Sequence, residues 1–300
     1  MKLVTAVFVF FLGFTEVVCF AQDYRSEFER YFQSGDTLKQ REILRKWQVL
    51  GPEDPELFTS YFNYYYVKSM QEVITITTKA PEGEKFVLTD SAGRVAGFLG
   101  SQMTYNKEVF QKGMEKIDAG IKLYPNRLDM RFGKIYVLGE VKDWKRFTDE
   151  IIQTVRYSKE NENCWTWTDN KKLPDGKKFF LSALQDYQLD LYNTGNDSLL
   201  LYMRKIAAEI LKVYPGHIES LSNISITYLM TGEYDKAIET LLQAEKIDPE
   251  DIVILSNIAY GYQLQGNTEK SIAYYEKVIK YAEEEEARES AKSRIEELKK

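Results

Sequence analysis

The tetrapeptide LSNI at residues 221–224 returns unchanged at residues 255–258, which is 34 residues further along the chain. The repetition extends beyond these four residues, because further positions recur at the same interval: Tyr228, Gly232, Lys236 and Ile238 return as Tyr262, Gly266, Lys270 and Ile272. A period of about 34 residues is typical of a repeat that consists of one pair of antiparallel helices. The sequence therefore predicts two stacked helical pairs between about residues 217 and 283.

Each recurring position has a physical role in such a pair. Leu221, Ile224 and Tyr228 are spaced i, i+3 and i+7, which places them on one face of a first helix. Gly232 ends that helix, because glycine adopts a positive φ at little cost. Pro249 ends the second helix, since proline cannot continue one. The apolar face, the turn and the stop signal all predict the same helix–turn–helix unit.

With these positions, residues 218–285 resemble the tetratricopeptide repeat (TPR) family. The resemblance implies an α-solenoid whose first helices line a concave groove, and a scaffold that binds another protein. The residues expected to face the groove come from the first helix of each repeat: Glu219, Ser222, Asn223, Ile226, Met230, Val253, Ser256, Asn257, Tyr260 and Leu264. The two asparagines suit a peptide backbone, because an amide both donates and accepts hydrogen bonds. Alternatively, they bond to a neighbouring helix end or to water.

The rest of the chain predicts weaker helical pairs around a β-rich insertion. Residues 73–78 and 85–90 are β-branched and alternating, and residues 91–93 are a turn signal, which predicts a small antiparallel β-meander. The fold class is therefore predicted as all-α dominated, an α-solenoid of TPR-like helix pairs with this insertion. In chain order, the predicted organisation is a signal peptide (1–21), TPR-like helices (22–71), the β insertion (72–104), TPR-like helices (105–160), a tryptophan-containing loop (161–178), an irregular helical pair (179–217), two clear repeats (218–285) and a capping helix (286–300).

The first 21 residues have the pattern of a secretory signal. Lys2 precedes an apolar run at residues 4–14, and Cys19-Phe20-Ala21 is a plausible cleavage site. The run is shorter than the roughly 20 apolar residues of a membrane span. We therefore expect an exported protein, periplasmic or secreted, without a transmembrane segment. A lipid anchor on Cys19, as in an outer-membrane lipoprotein, is the alternative, and the bulky Val18 before it disfavours that alternative.

Composition limits the partners that the chain can have. The formal net charge is −6, and Lys and Arg are distributed among Asp and Glu. This balance argues against nucleic acid, which requires a basic patch. Once residues 1–21 are removed, Cys164 is the only cysteine left, so the fold does not depend on an internal disulfide. The expected partner is another protein.

Catalytic chemistry has little support in the sequence. His217 is the only histidine, and Cys164 has no histidine near it in the chain. The motifs G-x-S-x-G, the P-loop, H-E-x-x-H and paired-cysteine zinc spacing are all missing from the sequence. The sequence therefore predicts a protein that is not an enzyme, with no catalytic residue, cofactor or metal site.

The tryptophan-containing loop supports a second hypothesis. Trp165 and Trp167 are two residues apart, so in an extended segment they project to the same side and can stack on a sugar ring. The alternative for these side chains is that they fill the edge of their own core. Two functions follow: an extracytoplasmic protein–protein interaction scaffold that binds a partner segment in its groove, or a TPR-built glycan-binding envelope protein that uses an exposed tryptophan loop.

Overall fold

The computed structural model describes residues 13–80 and 85–300, and for residues 13–22 it describes the backbone alone. Most of these residues are helical, and there is a small antiparallel sheet, which confirms the predicted fold class. The helices in the described residues are α1 (Gly13–Gln33), α2 (Thr37–Leu50), α3 (Pro55–Ser69), α4 (Lys107–Leu123), α5 (Leu128–Glu140), α6 (Trp144–Glu160), α7 (Gly176–Asn193), α8 (Leu200–Val213), α9 (Ile218–Met230), α10 (Tyr234–Ile247), α11 (Ile252–Leu264), α12 (Thr268–Tyr281) and α13 (Glu285–Leu298). The strands are β1 (Met70–Thr77), β2 (Lys85–Thr89), β3 (Val95–Tyr105), β4 (Thr166–Trp167) and β5 (Lys171–Lys172).

The predicted signal peptide falls mostly outside this description. Residues 1–12 lie outside the described residues, and α1 begins at Gly13, inside the predicted segment. Export therefore stays a prediction. Across the part of the chain that the structure describes, no helix has the length and apolarity needed to cross a membrane.

The chain divides into two compact units. Unit 1 contains the described residues of Met1–Val141 together with the segment Thr166–Lys172. Unit 2 contains Lys142–Trp165 and Leu173–Lys300. The chain thus leaves unit 1 after α5, returns to it for seven residues, and completes unit 2 with α7–α13.

The helices of unit 1 pack around an aromatic core. α2 and α3 begin at aspartate caps: the Asp36 carboxylate accepts from the Lys39 N–H, and the Asp54 carboxylate accepts from the Glu56 N–H. Between α1, α2 and α3 lies a cluster of buried side chains: Phe28, Ile43, Leu44, Trp47, Leu57, Tyr61 and Tyr64. α4 approaches α3 closely, because a Cβ on Gly120 would lie only 2.8 Å from the Cβ of Phe58.

A three-stranded sheet is inserted between α3 and α4. Its strand order is β1-β3-β2, so the third strand is central, whereas in the predicted meander the second strand would be central. The reason is that β1 continues directly from α3 and β3 leads directly into α4, and these two helices pack together. The Asn106 N–H donates to the Ser69 carbonyl at 2.7 Å, which joins the bases of the two strands. Ile76 and Phe86 both pair with Leu99, so they share one sheet face, and both are exposed.

The two clear repeats form the C-terminal part of unit 2. α9 pairs with α10 and α11 pairs with α12, in the predicted 34-residue register. Gly232 and Gly266 have φ of +76° and +80° after the first helix of each pair. The core between the pairs consists of buried residues from four helices: Leu221, Ile238, Leu241, Ala244, Ile254, Ile258 and Tyr262. α13 follows as the predicted last helix, and it buries Ala291 and Ile295.

Candidate functional site

A groove of about 470 Å³ lies between α11, α12 and α13 in unit 2. We call it the α11–α13 groove. Each of the three helices contributes side chains to its walls: Ile252, Val253, Ser256, Asn257 and Tyr260 from α11, Tyr275 and Val278 from α12, and Ala287, Ser290, Ala291 and Arg294 from α13. Four of the ten residues predicted to face a groove therefore lie together here.

The side chains of this groove combine apolar surface with uncommitted polar groups. Val253 and Tyr260 are 60% and 44% exposed, which is high for residues of these types in a packed repeat. Within the described residues, the hydroxyls of Ser256 and Ser290 have no hydrogen-bond partner. Asn257 donates one amide hydrogen to Ser222 Oγ at 3.3 Å, which orients the side chain at the groove wall. Such a mixture is suited to an extended peptide, whose backbone offers donors and acceptors in alternation.

A second cavity of about 350 Å³ is lined by residues of α7, α8 and α9. Two predicted residues, Asn223 and Ile226, lie in its wall. Asn223 Nδ2 donates to Gln185 Oε1 at 2.6 Å, so this asparagine is bonded to a neighbouring helix. The alternative stated for Asn223 in the sequence analysis is therefore the one that the structure shows.

The remaining predicted groove residues are not part of either cavity. Ser222 is only 9% exposed, because Asn257 on the neighbouring α11 covers its hydroxyl. The prediction that Ser222 faces a partner is therefore wrong. Glu219, Met230 and Leu264 are not among the residues that line the two cavities.

The sequence analysis missed the contribution of α13. A signal was present, because the 34-residue period continues past the second repeat: Ser222, Ser256 and Ser290 are successive members of one series. Val253 and Ala287 are related in the same way, as are Tyr260 and Arg294. α13 thus occupies the place of a first helix in a third repeat, and it completes the groove that α11 begins.

The two tryptophans of the predicted ligand loop have different environments. Trp165 is fully buried in unit 2, with its ring centre 5.9 Å from that of Tyr157 and 5.3 Å from that of Phe180. The prediction that Trp165 stacks on a ligand is therefore wrong. Both tryptophans would share one side only in a continuous strand, and β4 begins at Thr166, after Trp165. Trp167 belongs to unit 1, is half-buried, and lines a pocket of about 380 Å³.

Beside that pocket, unit 1 contains a buried ion network that the sequence did not reveal. The Arg127 side chain is 1% exposed, and its guanidinium donates to Glu56 Oε1 and to Asp129 Oδ2, each at 2.7 Å. Burial alone would lower the pKa of Arg127, but the hydrogen bonds to Asp129 and Glu56 raise it above its ordinary value. Glu56 and Arg127 are 71 residues apart in the chain, so no local pattern connects them.

The residues considered for catalysis have no catalytic arrangement around them. His217 contacts Ser220 Oγ at 2.8 Å through Nδ1 and Glu219 at 3.3 Å through Nε2, and burial lowers the pKa of His217. Cys164 is a free, exposed thiol. Within the described residues there is no group of three or more His, Cys, Asp or Glu side chains that could hold a metal ion.

Comparisons with known proteins agree with the repeat register. A family model described as tetratricopeptide repeat matches residues 218–251 and 253–285. A comparison with curated protein sequences gave no match.

Solved structures with similar helical pairs have low sequence identity to this chain. A tetratricopeptide repeat protein from Parabacteroides merdae ATCC 43184 is 11% identical, with 93% of this chain and 87% of that chain covered and a TM-score of 0.38. A thermophilic TPR protein from Thermus thermophilus is 15% identical, with 64% and 91% covered and a TM-score of 0.36. YrrB, a TPR protein with an unusual peptide-binding site, is 12% identical, with 83% and 97% covered and a TM-score of 0.41.

The matched repeats coincide with α9–α12, the helical pairs that the 34-residue period predicts. Through residues 218–285, the chain belongs to the tetratricopeptide repeat proteins, whose fold serves as a scaffold for protein–protein interaction.

Proposed function

We propose that this protein is an interaction scaffold that holds an extended segment of a partner protein in the α11–α13 groove. The observation that carries this proposal is the groove itself. It brings exposed Val253 and Tyr260 next to the unpaired hydroxyls of Ser256 and Ser290. A surface of this kind has both an apolar floor and polar groups that can pair with a peptide backbone.

The two kinds of side chain have separate roles in binding. Apolar side chains of the partner would cover Val253 and Tyr260, and burial of apolar surface contributes about 25 cal/mol per Å² before the costs of association are subtracted. The hydroxyls of Ser256 and Ser290 both donate and accept, so they can bond to peptide N–H or C=O groups. Arg294 adds a cation at the groove wall, which favours a carboxylate on the partner segment.

The scaffold is proposed to act outside the cytoplasm. Support comes from the amino-terminal pattern alone, with Lys2, the apolar run at residues 4–14 and the cleavage-site residues 19–21. The mass of the mature amino terminus tests this proposal. A chain that begins at Gln22 supports export by cleavage, a lipid-modified Cys19 assigns the protein to the outer membrane, and retention of Met1 contradicts export.

The binding proposal is tested by affinity capture from an envelope extract of the source organism. The baits are residues 22–300, the triple variant Val253→Ala/Asn257→Ala/Tyr260→Ala, and the control Tyr136→Ala, which removes an exposed tyrosine of unit 1. Captured proteins are identified by mass spectrometry, purified and titrated directly against each bait. We expect the triple variant to bind the partner at least about tenfold more weakly, and the control to bind like the wild type. Equal affinity for all three baits would contradict a role for this groove.

The alternative function, glycan binding by an exposed tryptophan pair, has lost its main support. Trp165 is part of the core of unit 2 and cannot contact a ligand. Trp167 alone remains accessible, and the pocket that it lines carries charged groups that a stacking platform for sugars does not require.

A further inference from the structure

The pocket of unit 1 has a wall made by a short segment that returns from outside the unit. It encloses about 380 Å³ between α1, α3, α5 and the residues Trp167 and Thr168, and we call it the unit 1 pocket. Its apolar wall consists of aromatic rings: Phe28, Phe32, Phe62 and Trp167. A volume of this size is within the range of small-ligand sites.

The segment that carries Trp167 is held in an unfavourable backbone conformation. Asp169 and Asn170 have φ of +61° and +54°, which costs non-glycine residues of the order of 1 kcal/mol or more each. Charged contacts fix it: Arg25 donates to Asp169 Oδ1 at 2.7 Å, and the Asp169 N–H donates to Glu56 Oε1 at 2.9 Å. The wall that contains Trp167 is therefore built into the unit rather than loosely attached.

The charges around the unit 1 pocket do not balance. Four carboxylates, those of Glu29, Glu56, Asp129 and Asp169, surround the two guanidiniums of Arg25 and Arg127. Lys171 is 3.2 Å from Asp169 and is mostly exposed. Negative charge is thus in excess at a partly enclosed, aromatic-lined site, which favours a cationic ligand and disfavours an anion.

Polar atoms of α3 that face the pocket are not used by the protein. Ser60 lines the pocket, its side chain belongs to a residue only 6% exposed, and its hydroxyl has no partner within the described residues. Asn63, one turn along α3, also lines the pocket and has no hydrogen bond in that part of the chain. A nearly buried hydroxyl without a partner is unfavourable unless a ligand or water satisfies it.

We propose that the unit 1 pocket binds a guanidinium group, such as that of an arginine side chain on a partner protein. A guanidinium is a planar cation, so it can stack on the rings of Trp167 and Phe62 while its N–H groups donate to oxygens of Ser60, Asn63 and the surrounding carboxylates. The pocket belongs to unit 1, so this site goes beyond the function proposed for the α11–α13 groove and does not depend on it.

The test titrates the full chain with N-acetyl-arginine amide and with N-acetyl-citrulline amide, a neutral probe of nearly the same shape. The readout is the NMR signal of the Trp167 indole N–H, assigned by its loss in Trp167→Phe. We expect a saturable shift with the arginine probe and at least about tenfold weaker binding of the citrulline probe. Glu29→Gln, which removes a charge of the pocket, should weaken arginine binding several-fold, whereas Glu27→Gln on the same helix should leave it unchanged.

Several outcomes would overturn this proposal. Equal shifts with both probes would mean that the pocket does not recognise charge, and an unshifted Trp167 signal would mean that it does not bind the group. A response to chitobiose without a response to arginine would assign the pocket to sugars instead. The Val253→Ala/Asn257→Ala/Tyr260→Ala variant should bind the arginine probe like the wild type, so a failure of the α11–α13 groove and a failure of this pocket are distinguishable.

Discussion

The two units of this chain obtain their structure in different ways. The repeats of unit 2 use one set of contacts twice. The Lys236 ammonium lies 5.6 Å from the ring centre of Tyr228, and 34 residues later Lys270 lies 5.0 Å from that of Tyr262. Unit 1 has no such repetition among its described residues, and its distinctive contact is the single buried arginine, Arg127, between two carboxylates.

This difference has consequences for how each unit tolerates change. A repeated contact is one of several equivalent contributions, so its loss weakens one interface of a stack. A single buried ion pair is different, because removal of one partner leaves an uncompensated charge inside the protein. We therefore expect the largest mutational effects in unit 1, and smaller, matched effects at equivalent positions of the repeats.

The largest effect is expected for Arg127→Met. The variant leaves the carboxylates of Glu56 and Asp129 buried without their cation, which typically costs about 3–5 kcal/mol. The segment that Glu56 holds through the Asp169 N–H should open as well. Hydrogen exchange followed by mass spectrometry measures the free energy of opening for peptides of unit 1, including residues 166–172.

Lys145→Ala is the control for Arg127→Met. Lys145 also forms an ion pair, with Asp149 at 2.7 Å, but both side chains are exposed, and exposed pairs contribute little. No resolvable loss of protection is expected in this variant. Equal protection in Arg127→Met and the wild type would contradict the view that unit 1 depends on this network.

A smaller effect is expected for a pair of glycine substitutions on packed helices. In unit 1, a Cβ at position 120 would lie 2.8 Å from the Cβ of Phe58, which is rigidly attached to its backbone, so Gly120→Ala should cost roughly 1–3 kcal/mol. In unit 2, a Cβ at position 261 would lie 3.0 Å from Cγ1 of Ile238, which can adjust. Alanine also gains about 1 kcal/mol in helix propensity over glycine. Gly261→Ala should therefore be close to neutral in chemical denaturation, and a larger loss than for Gly120→Ala would contradict the comparison.

The same contrast explains how much the sequence could predict. The repeats were predictable because each position of α9–α12 is stated twice, and even the missed role of α13 is written in the series Ser222, Ser256 and Ser290. The pocket of unit 1 was not predictable in this way. Its contacts join Glu56 to Arg127 across 71 residues, and no periodicity connects residues that meet only once in the fold.

The tryptophan loop shows a second limit of sequence reasoning. The argument that Trp165 and Trp167 share a side assumed an extended backbone through both residues. The chain instead enters β4 only at Thr166, and Trp165 packs against Phe180. Alternation is therefore informative where a strand is long, as in β1 and β3, and uninformative where a strand has two residues.

Equivalent effects of about 1 kcal/mol are expected at the two helix-ending glycines of unit 2. Gly232 and Gly266 both have positive φ, and an L-residue in that conformation costs roughly 1–2 kcal/mol. No atom lies within 4 Å of a Cβ at either position, so the backbone cost is the only expected one. Gly232→Ala and Gly266→Ala should lower the thermal midpoint by similar amounts, measured by calorimetry. Clearly unequal shifts would show that the two repeats are not energetically equivalent.

The smallest effect concerns an ion pair of unit 2 outside the regular repeats. Glu209 on α8 accepts from Arg156 on α6 at 2.7 Å, and this bond, together with Lys212, lowers the pKa of Glu209 from its ordinary value of 4.5 to about 2. Because the folded-state pKa is depressed, the contribution is complete above pH 4.5 and is lost as the pH falls towards 2. Arg156 is largely exposed, so solvent screening should limit the contribution to about 1 kcal/mol or less. Glu209→Gln should therefore lose less stability than the wild type between about pH 5 and pH 2, in thermal unfolding at a series of pH values, while Glu276→Gln on exposed α12 should follow the wild type. If Glu209→Gln and the wild type lose the same stability over this range, the α6–α8 part of unit 2 resembles the repeats rather than unit 1, since it would not depend on a single charged contact.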